Sequence, residues 1–145
     1  MIALLQRVSK ATVSVEGSII ARIDSGLLVF VGVQKEDSET DALRLSERVL
    51  GYRVFEDRSG RMNLSLNDIG GGLLLVPQFT LAADTGRGMR ASFTSAAAPD
   101  RARNLFELVV NSTAETLDNV KSGQFGADMQ VALVNEGPVT FWLES

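Results

Sequence analysis

The chain has 145 residues, the length of one domain with its own hydrophobic core, and it contains neither histidine nor cysteine. Serine–histidine triads, cysteine nucleophiles, disulfides and ordinary zinc sites are therefore excluded. The net charge of −4 argues against a protein that coats nucleic acid through many phosphate contacts, although it allows contact with a single nucleic-acid end.

The first half of the chain alternates between strand patterns and turn signals, and then contains one helix. We predict strands at residues 2–8, 11–15, 18–23, 27–33 and 52–55, with turns at 16–17, 24–26 and 57–60. Ser38 is a candidate N-cap of the helix, and Gly51 is its predicted end. Its apolar face comprises Ala42, Leu45 and Val49.

The second half adds a buried strand, a loop, a helix and two closing strands. The strand is predicted at residues 73–79, the loop at 85–95, and the closing strands at 125–134 and 139–143 on either side of a tight turn at 135–138. Pro99 suits the first position of a helix that ends near Leu117. Together these elements predict an α+β fold, with antiparallel or mixed sheets forming a barrel-like body, two packed helices and a single domain over 1–145.

Two further patterns concern location and partners. No apolar run approaches the ~20 residues of a membrane span, and the first residues, which include Gln6 and Arg7, do not resemble a signal peptide. We therefore expect a cytoplasmic protein without a membrane partner. Residues 84–103 carry four arginines and two aspartates, a local charge of +2 that suits either a solvated loop or phosphate contacts.

Polar residues at the end of the buried strand are candidates for chemistry. Gln78 offers an amide donor and acceptor, Thr80 offers a hydroxyl, and the backbone N–H groups of Phe79 and Thr80 are candidate donors to an oxyanion. The alternative is an ordinary strand end with Phe79 in the core. A threonine nucleophile needs a nearby base, and no histidine is present to serve as one.

Two motifs carry a resemblance to a known family. Pro77-Gln78-Phe79-Thr80-Leu81 is similar to Ser-Gln-x-x-Leu, and Asn135-Glu136-Gly137-Pro138-Val139-Thr140 matches Asn-x-Gly-Pro-(Val/Phe)-Thr. These are the signature motifs of the D-aminoacyl-tRNA deacylases, and the resemblance extends from Met1–Val8 to Phe141–Leu143. It implies a hydrolase that cleaves the ester of D-aminoacyl-tRNA, and of glycyl-tRNA mischarged on tRNA(Ala).

The resemblance also implies roles for individual residues. Gln78, Phe79 and Thr80 are the implied catalytic residues, and the 2′-hydroxyl of the terminal adenosine would help to activate water. On this scheme Thr80 positions the ester rather than acting as a nucleophile. The scheme requires no metal or other cofactor. The implied assembly is a homodimer whose active sites lie at the subunit interface and receive the 3′ end of aminoacyl-tRNA.

Chiral selection is assigned by the resemblance to Gly137 and Pro138, which would enter the partner subunit's pocket and exclude an L side chain. From the residues alone the Gly137–Pro138 bond is expected to be trans, whereas the family has it cis. Arg7 is implied to hold this dipeptide and Met129 to line the pocket, although a strand-edge charge and a core methionine are the ordinary alternatives. Val139 and Thr140 complete the motif and are assigned to the same selection site.

Pro77 departs from the family's usual serine, which removes a hydroxyl and a backbone N–H. Related animal deacylases that remove L-alanine from mischarged tRNA carry Pro-Gln here, but they have tyrosine after Gly-Pro, where this chain has Val139. We therefore expect specificity for D-amino acids. A deacylase with relaxed chirality and a non-catalytic module that binds a tRNA end or a nucleotide are the alternatives.

Overall fold

A computed structural model describes residues 1–145. Eight strands are present: β1 (Ile2–Val15), β2 (Ser18–Ile23), β3 (Gly26–Gly32), β4 (Phe55–Glu56), β5 (Met62–Leu64), β6 (Gly72–Pro77), β7 (Val120–Ser122) and β8 (Gln130–Glu144). The α-helices are α1 (Glu39–Gly51), α2 (Leu66–Ile69) and α3 (Pro99–Ala114), and a 3₁₀ turn spans Phe79–Ala82. No helix is long and apolar enough to cross a membrane.

One mixed sheet organises the molecule, in which β1 is the central strand. On one edge β1 pairs antiparallel with β8, and on the other it pairs with β3 through its first half and with β2 through its second half. Strand β3 continues the sheet through parallel pairing with β6, and β6 pairs in parallel with β7. The sheet curls until β2 contacts β6 and β7, so the predicted barrel-like α+β fold is confirmed.

Strands β3 and β6 are buried on both faces, which explains their continuous apolar runs. Leu73 and Leu75 belong to a core of 23 buried residues shared with α1 and α3. The alternate residues Leu74 and Val76 belong to a second core of eight residues inside the curl of the sheet. Close packing at the start of β3 and β6 requires glycine, because a Cβ on Gly26 would lie only 1.9 Å from the carbonyl oxygen of Gly72.

Both of the predicted long helices are confirmed, and their starts follow the predicted signals. Ser38 caps α1 in a reciprocal pair with Asp41, and Pro99 occupies the first turn of α3. Hydrogen bonds from the side chain and then the backbone of Ser38 hold the pKa of Asp41 below its ordinary value of 3.8. The one-turn helix α2 was not predicted from the sequence. It has the same reciprocal capping pair, formed by Ser65 and Asp68.

Three predicted boundaries, in β1, in β8 and at the end of β6, are wrong. The strands predicted at 2–8 and 11–15 are one strand, because β8 pairs with both halves. The tight turn predicted at 135–138 does not exist, since the chain passes through these residues without reversing and continues along β1. The strand predicted to reach Phe79 ends at Pro77, after which Phe79 begins a 3₁₀ turn.

Smaller differences concern short elements. The long helix α3 ends at Ala114 rather than near Leu117. The predicted strand at 52–55 is reduced to Phe55–Glu56, and β5 and β7, of three residues each, were not predicted. Periodicity is a weak signal over two or three residues, so these elements depend on their neighbours in the fold.

Candidate active site

The first site segment follows directly from the end of β6. The N–H of Gln78 donates to the carbonyl of Val31 at 2.8 Å, which is the last backbone contact between β6 and β3. The carbonyl of Gln78 then accepts from the N–H of Leu81 at 3.2 Å, closing the 3₁₀ turn. This reversal places the side chains of Phe79 and Thr80 on the surface, so the alternative of a core position for Phe79 is wrong.

Gln78 and Thr80 are brought together by this turn. The side-chain amide of Gln78 donates to the Thr80 hydroxyl in a short hydrogen bond. Phe79 points to the other side, where its ring lies 5.1 Å from the ring of Phe93. The result is a polar pair beside an exposed aromatic pair.

A cavity of about 570 Å³ opens next to this segment. Its wall is mostly apolar and is built from the 3₁₀ turn, the loop before α3, the first turn of α3 and the segment before β8. The lining residues are Pro77, Gln78, Phe79, Phe93, Ala96, Ala97, Pro99, Ala102, Phe125, Gly126, Ala127 and Met129. Met129 therefore lies in this wall, while it also packs against the core inside the curl of the sheet.

Pro77 fits its position without loss of strand pairing. Because backbone N–H groups alternate in direction along a strand, the donation from Gln78 to Val31 turns the nitrogen of Pro77 away from β3. Its ring faces Gly123, where a Cβ would lie 3.5 Å from the proline Cδ. The missing N–H is therefore not one that the β3–β6 ladder uses.

The second site segment is the bulge at Gly137–Pro138 within β8, and its peptide bond is cis. The expectation of a trans bond from the residues alone is wrong, and the expectation from the family resemblance is confirmed. Gly137 has φ +126°, and a Cβ there would lie 2.8 Å from Val139 Cγ2 and 2.9 Å from Arg7 Nη2. Glycine is therefore required by both conformation and space.

Arg7 holds the bulge against the rest of the chain. Its Nε donates to the carbonyl of Glu136 at 3.1 Å, and its Nη1 donates to the carbonyl of Val54 at 2.6 Å. Arg7 is half-buried in β1, so these bonds connect the bulge in β8 to the segment that precedes β4.

Asn135 and Gln6 complete the support of the bulge, and neither was a candidate from the sequence. Asn135 Oδ1 accepts from the N–H of Val139 at 3.1 Å, and its Nδ2 donates to the Thr140 hydroxyl at 2.9 Å. Gln6 Nε2 reaches the same hydroxyl at 3.3 Å. Val139 is buried in the main core, whereas Gly137, Pro138 and Thr140 are exposed. Because Asn135 belongs to the second motif, its contacts could have been anticipated from the sequence. The contact of Gln6 follows from the pairing of β1 with β8.

The structure thus forms two groups of candidate residues rather than one. Gln78, Phe79 and Met129 line the cavity, with Thr80 bonded to Gln78, while Arg7, Val139 and Thr140 surround Gly137 and Pro138. No residue of the bulge lines the cavity within the same chain. No group of three or more carboxylates comes together in a way that could hold a metal ion.

The amino-acid sequence matches one family model and several named proteins over nearly its whole length. A family model described as D-Tyr-tRNA(Tyr) deacylase matches residues 4–144. A protein of Thioalkalivibrio sulfidiphilus named D-aminoacyl-tRNA deacylase is 62% identical over 99% of this chain and 97% of its own length. A protein of the same name from Alkalilimnicola ehrlichii is 59% identical over 100% of this chain and 97% of its own length.

Two solved structures share the fold. A structure described as c-Myc DNA Unwinding Element Binding Protein aligns with a TM-score of 0.96 and 36% identity, over 100% of this chain and 99% of that one. A probable eukaryotic D-amino acid tRNA deacylase aligns with a TM-score of 0.86 and 16% identity, over 99% of this chain and 98% of that one, a likeness of fold alone. Because the family model and relatives of about 60% identity both span nearly the whole sequence, the chain belongs to the D-Tyr-tRNA(Tyr) deacylase family.

Proposed function

We propose that this protein hydrolyses the ester of D-aminoacyl-tRNA, and of glycyl-tRNA mischarged on tRNA(Ala), in the cytoplasm as a step of translation proofreading. Family membership and full-length identity to proteins named D-aminoacyl-tRNA deacylase support the reaction class. The observation that carries the proposal is the open apolar cavity beside Gln78 and Thr80, combined with an exposed Gly137–Pro138 bulge that several side chains hold in place.

The reaction requires no histidine or cysteine. Water attacks the ester carbonyl carbon, the bond to the ribose oxygen breaks, and that oxygen takes a proton to regenerate the free tRNA end and the amino acid. Gln78 and Thr80 would orient the ester, while the N–H groups of Phe79 and Thr80 at the start of the 3₁₀ turn would stabilise the oxyanion. The 2′-hydroxyl of the adenosine would help to activate the water, as the family resemblance implies.

The substrate side chain and the terminal adenosine both require space. A cavity of about 570 Å³ is in the range that accommodates small ligands, and its apolar wall suits a tyrosyl or similar side chain. Met129 and Phe79 supply apolar surface in that wall.

Chirality would be selected across a homodimer. Within one chain the bulge lies outside the cavity, which supports a wall that Gly137 and Pro138 form in the cavity of a partner subunit. A backbone wall rejects an L side chain by steric clash and accepts glycine, which has none. Arg7 would keep the wall in position, with Val139 anchoring it in the core and Thr140 bonding to Asn135. We propose that residues 1–145 act as one domain in each subunit.

Single-turnover hydrolysis of D-Tyr-tRNA, L-Tyr-tRNA and Gly-tRNA tests the reaction. We expect release from D-Tyr-tRNA and Gly-tRNA only, and loss of at least about a hundredfold in rate in Thr80→Ala or Gln78→Ala, because each removes a group that positions the ester. Thr40→Ala and Gln124→Ala, which alter exposed residues outside the cavity wall, are the matched controls.

Each other outcome has a clear meaning. Retention of full activity in both Thr80→Ala and Gln78→Ala would contradict the site assignment. Release from all three substrates would indicate a deacylase of relaxed chirality that also removes L-amino acids. Stoichiometric binding of tRNA without release would indicate a non-catalytic binding module.

The position of the wall in a partner subunit has its own test. Thr80→Ala removes activity from a subunit's own cavity, and Gly137→Ala damages the wall that the subunit presents to its partner. In a mixed dimer, the intact cavity of the Gly137→Ala subunit therefore faces the intact wall of the Thr80→Ala subunit. The ratio of D to L hydrolysis should then rise above that of the Gly137→Ala protein alone. An unchanged ratio after subunit exchange would place the wall and the cavity in the same chain.

A further inference from the structure

The loop and helix start between β6 and α3 form a basic region that the proposed chemistry does not use. Residues 84–103 contain Arg87, Arg90, Arg101 and Arg103 against Asp84 and Asp100, a local charge of +2 in a chain whose net charge is −4. The exposed residue Lys35 lies next to this region in the chain fold, because its backbone N–H donates to the carbonyl of Ser95 at 2.9 Å.

Arg87 and Arg90 lie on a loop that the cavity wall supports. Asp84 and Ser92 exchange backbone hydrogen bonds of 2.8 and 2.9 Å and so close the loop at its base. The next residue after this base is Phe93, which lines the cavity and packs against Phe79 with the two rings tilted. Both arginines are exposed, and the carboxylate of Asp84 is engaged by the N–H of Gly86 at 2.9 Å.

Arg103 approaches the cavity from the side of α3. Its guanidinium carbon lies 5.2 Å from the ring centroid of Phe125, which is part of the cavity wall. Arg101 is different, because its Nη2 donates to the carbonyl of Asp37 at 2.6 Å and so ties α3 to the start of α1. Arg101 is thus engaged at the start of α1, whereas the exposed guanidinium of Arg103 forms no hydrogen bond or ion pair within the chain.

The charges of these three arginines are not neutralised within the chain. The one ion pair of the structure joins the Met1 ammonium to Asp37, so none of the three arginines forms an ion pair within the chain. Asp100 lies in the first turn of α3, where a carboxylate offsets the positive end of the helix dipole, and Asp128 is an exposed carboxylate beside the cavity segment 125–129.

We propose that Arg87, Arg90 and Arg103, which we call the arginine rim, bind phosphates of the tRNA acceptor strand whose aminoacyl end occupies the cavity. Cations on two sides of one opening suit a strand that carries successive phosphates, because guanidinium groups bind phosphate oxygens through paired donors. This inference rests on the proposed function, since it assigns the rim to the same substrate. Three contacts are few, which agrees with an acidic protein that binds only one end of an RNA.

A pair of substrates separates the rim from the cavity. D-Tyr-tRNA carries the phosphates, whereas D-tyrosyl-adenosine presents the same ester and adenosine without any phosphate. We expect Arg87→Ala/Arg90→Ala to lower kcat/KM for D-Tyr-tRNA by about tenfold at 50 mM salt, Arg103→Ala to lower it by a smaller factor, and neither change to affect D-tyrosyl-adenosine. The dependence of log kcat/KM on log salt should flatten by about one unit per lost contact.

The control is Arg44→Ala/Arg58→Ala, which removes the same charge from exposed positions on α1 and on the turn after β4. Equal losses on the two substrates would mean that the loop merely supports the cavity wall, and a loss on D-Tyr-tRNA no greater than in the control would mean that the rim binds no phosphate. Either result overturns the proposal.

Binding of uncharged tRNA, measured by fluorescence anisotropy, keeps this test independent of the proposed reaction. If the wild-type protein cleaves neither substrate, the proposed function fails, but weaker tRNA binding by the rim variants than by the control would still support the rim. A DNA duplex as long as the acceptor helix should bind more weakly than tRNA. If tRNA and the DNA duplex bind with equal affinity, and the rim variants weaken both to the same extent, the assignment to the acceptor strand is overturned.

Discussion

The Gly137–Pro138 bulge and the Gln78–Thr80 turn are held in opposite ways. The bulge is fixed by side chains that reach it from elsewhere, above all Arg7, which also binds the carbonyl of Val54. The turn is fixed through its backbone by Val31 and Leu81, while the side chains of Gln78 and Thr80 bond to each other. A surface that must reject a ligand by shape needs stiffness, whereas side chains that orient a reacting group must remain able to reach it.

The largest effect is expected from a substitution at the centre of the bulge. Gly137→Ala introduces a Cβ that would lie 2.8 Å from Val139 Cγ2, at a φ that L residues rarely adopt. We expect a loss of about 1–3 kcal/mol in stability and at least a tenfold loss of D over L selectivity, because the bulge must shift. Urea unfolding and single-turnover assays measure the two effects. Wild-type selectivity with an unchanged urea midpoint would show that the bulge tolerates a side chain.

A smaller effect is expected when the support is removed but the bulge itself is kept. Arg7→Met preserves the apolar stem and removes the donors to Glu136 and Val54. Loss of charged donors to two backbone carbonyls should cost about 2 kcal/mol of stability and lower chiral selectivity more than the rate on D-Tyr-tRNA. Arg53→Met, at an exposed position near Val54, is the control. An equal fall in rate and selectivity would instead assign Arg7 to the chemistry.

The turn offers the converse test, since a change at its entrance should have little effect. Pro77→Ser restores the family's usual hydroxyl and an N–H that faces away from β3. We expect a stability change within about 1 kcal/mol and unchanged selectivity, because the anchor from Gln78 to Val31 remains. Thermal unfolding and the ratio of D to L hydrolysis are the measurements. A large gain in rate would show that this chain lacks a hydrogen bond that the serine supplies.

The smallest expected effect is the pH dependence of the two helix caps, which lie outside both the bulge and the turn. The pKa of Asp41 is lowered mainly by the Ser38 side chain, and that of Asp68 mainly by the Ser65 backbone N–H. Because the folded pKa values lie below the ordinary 3.8, this stabilisation is present above pH 3.8 and is lost as pH falls through the lowered values.

Urea midpoints between pH 5 and pH 3 should therefore fall slightly, and the capping variant Ser38→Ala should flatten that dependence. The residues of the turn, Gln78, Phe79 and Thr80, carry no ionisable side chain, so the turn should keep its hydrogen bonds over this pH range while the protein remains folded. A pH dependence unaltered by Ser38→Ala would mean that other carboxylates are responsible.

The sequence predicted most of the fold because local and long-range signals agree along much of the chain. Ser38 and Pro99 mark helix starts that need only local contacts, and the apolar runs at 27–33 and 73–76 indicate strands that are buried on both faces. The errors at 135–138 have a different origin. Glycine and proline usually reverse a chain, but here pairing with β1 on both sides of the bulge carries the strand onward, and no local pattern encodes that pairing.

The same reasoning separates the site residues that were predictable from those that were not. Gln78 and Gly137 lie in motifs of distinctive composition. Phe93 and Phe125 enter the cavity wall only because the loop after β6 folds back and α3 packs against the segment after β7. Gln6 supports the bulge because β1 and β8 are neighbours, which its own sequence context does not reveal.

Strand β1 lies at the centre of the sheet and supports the proposed selection site through Arg7. β1 is paired on both edges over most of its length, and Arg7 lies in its first half, where it is flanked by β3 and β8. Amide hydrogens in such a strand exchange with solvent mainly when the whole protein opens, rather than through local fraying. Hydrogen exchange in β1 around Arg7 should therefore require opening of the whole protein, and fidelity on heating should hold until cooperative melting removes it together with the fold.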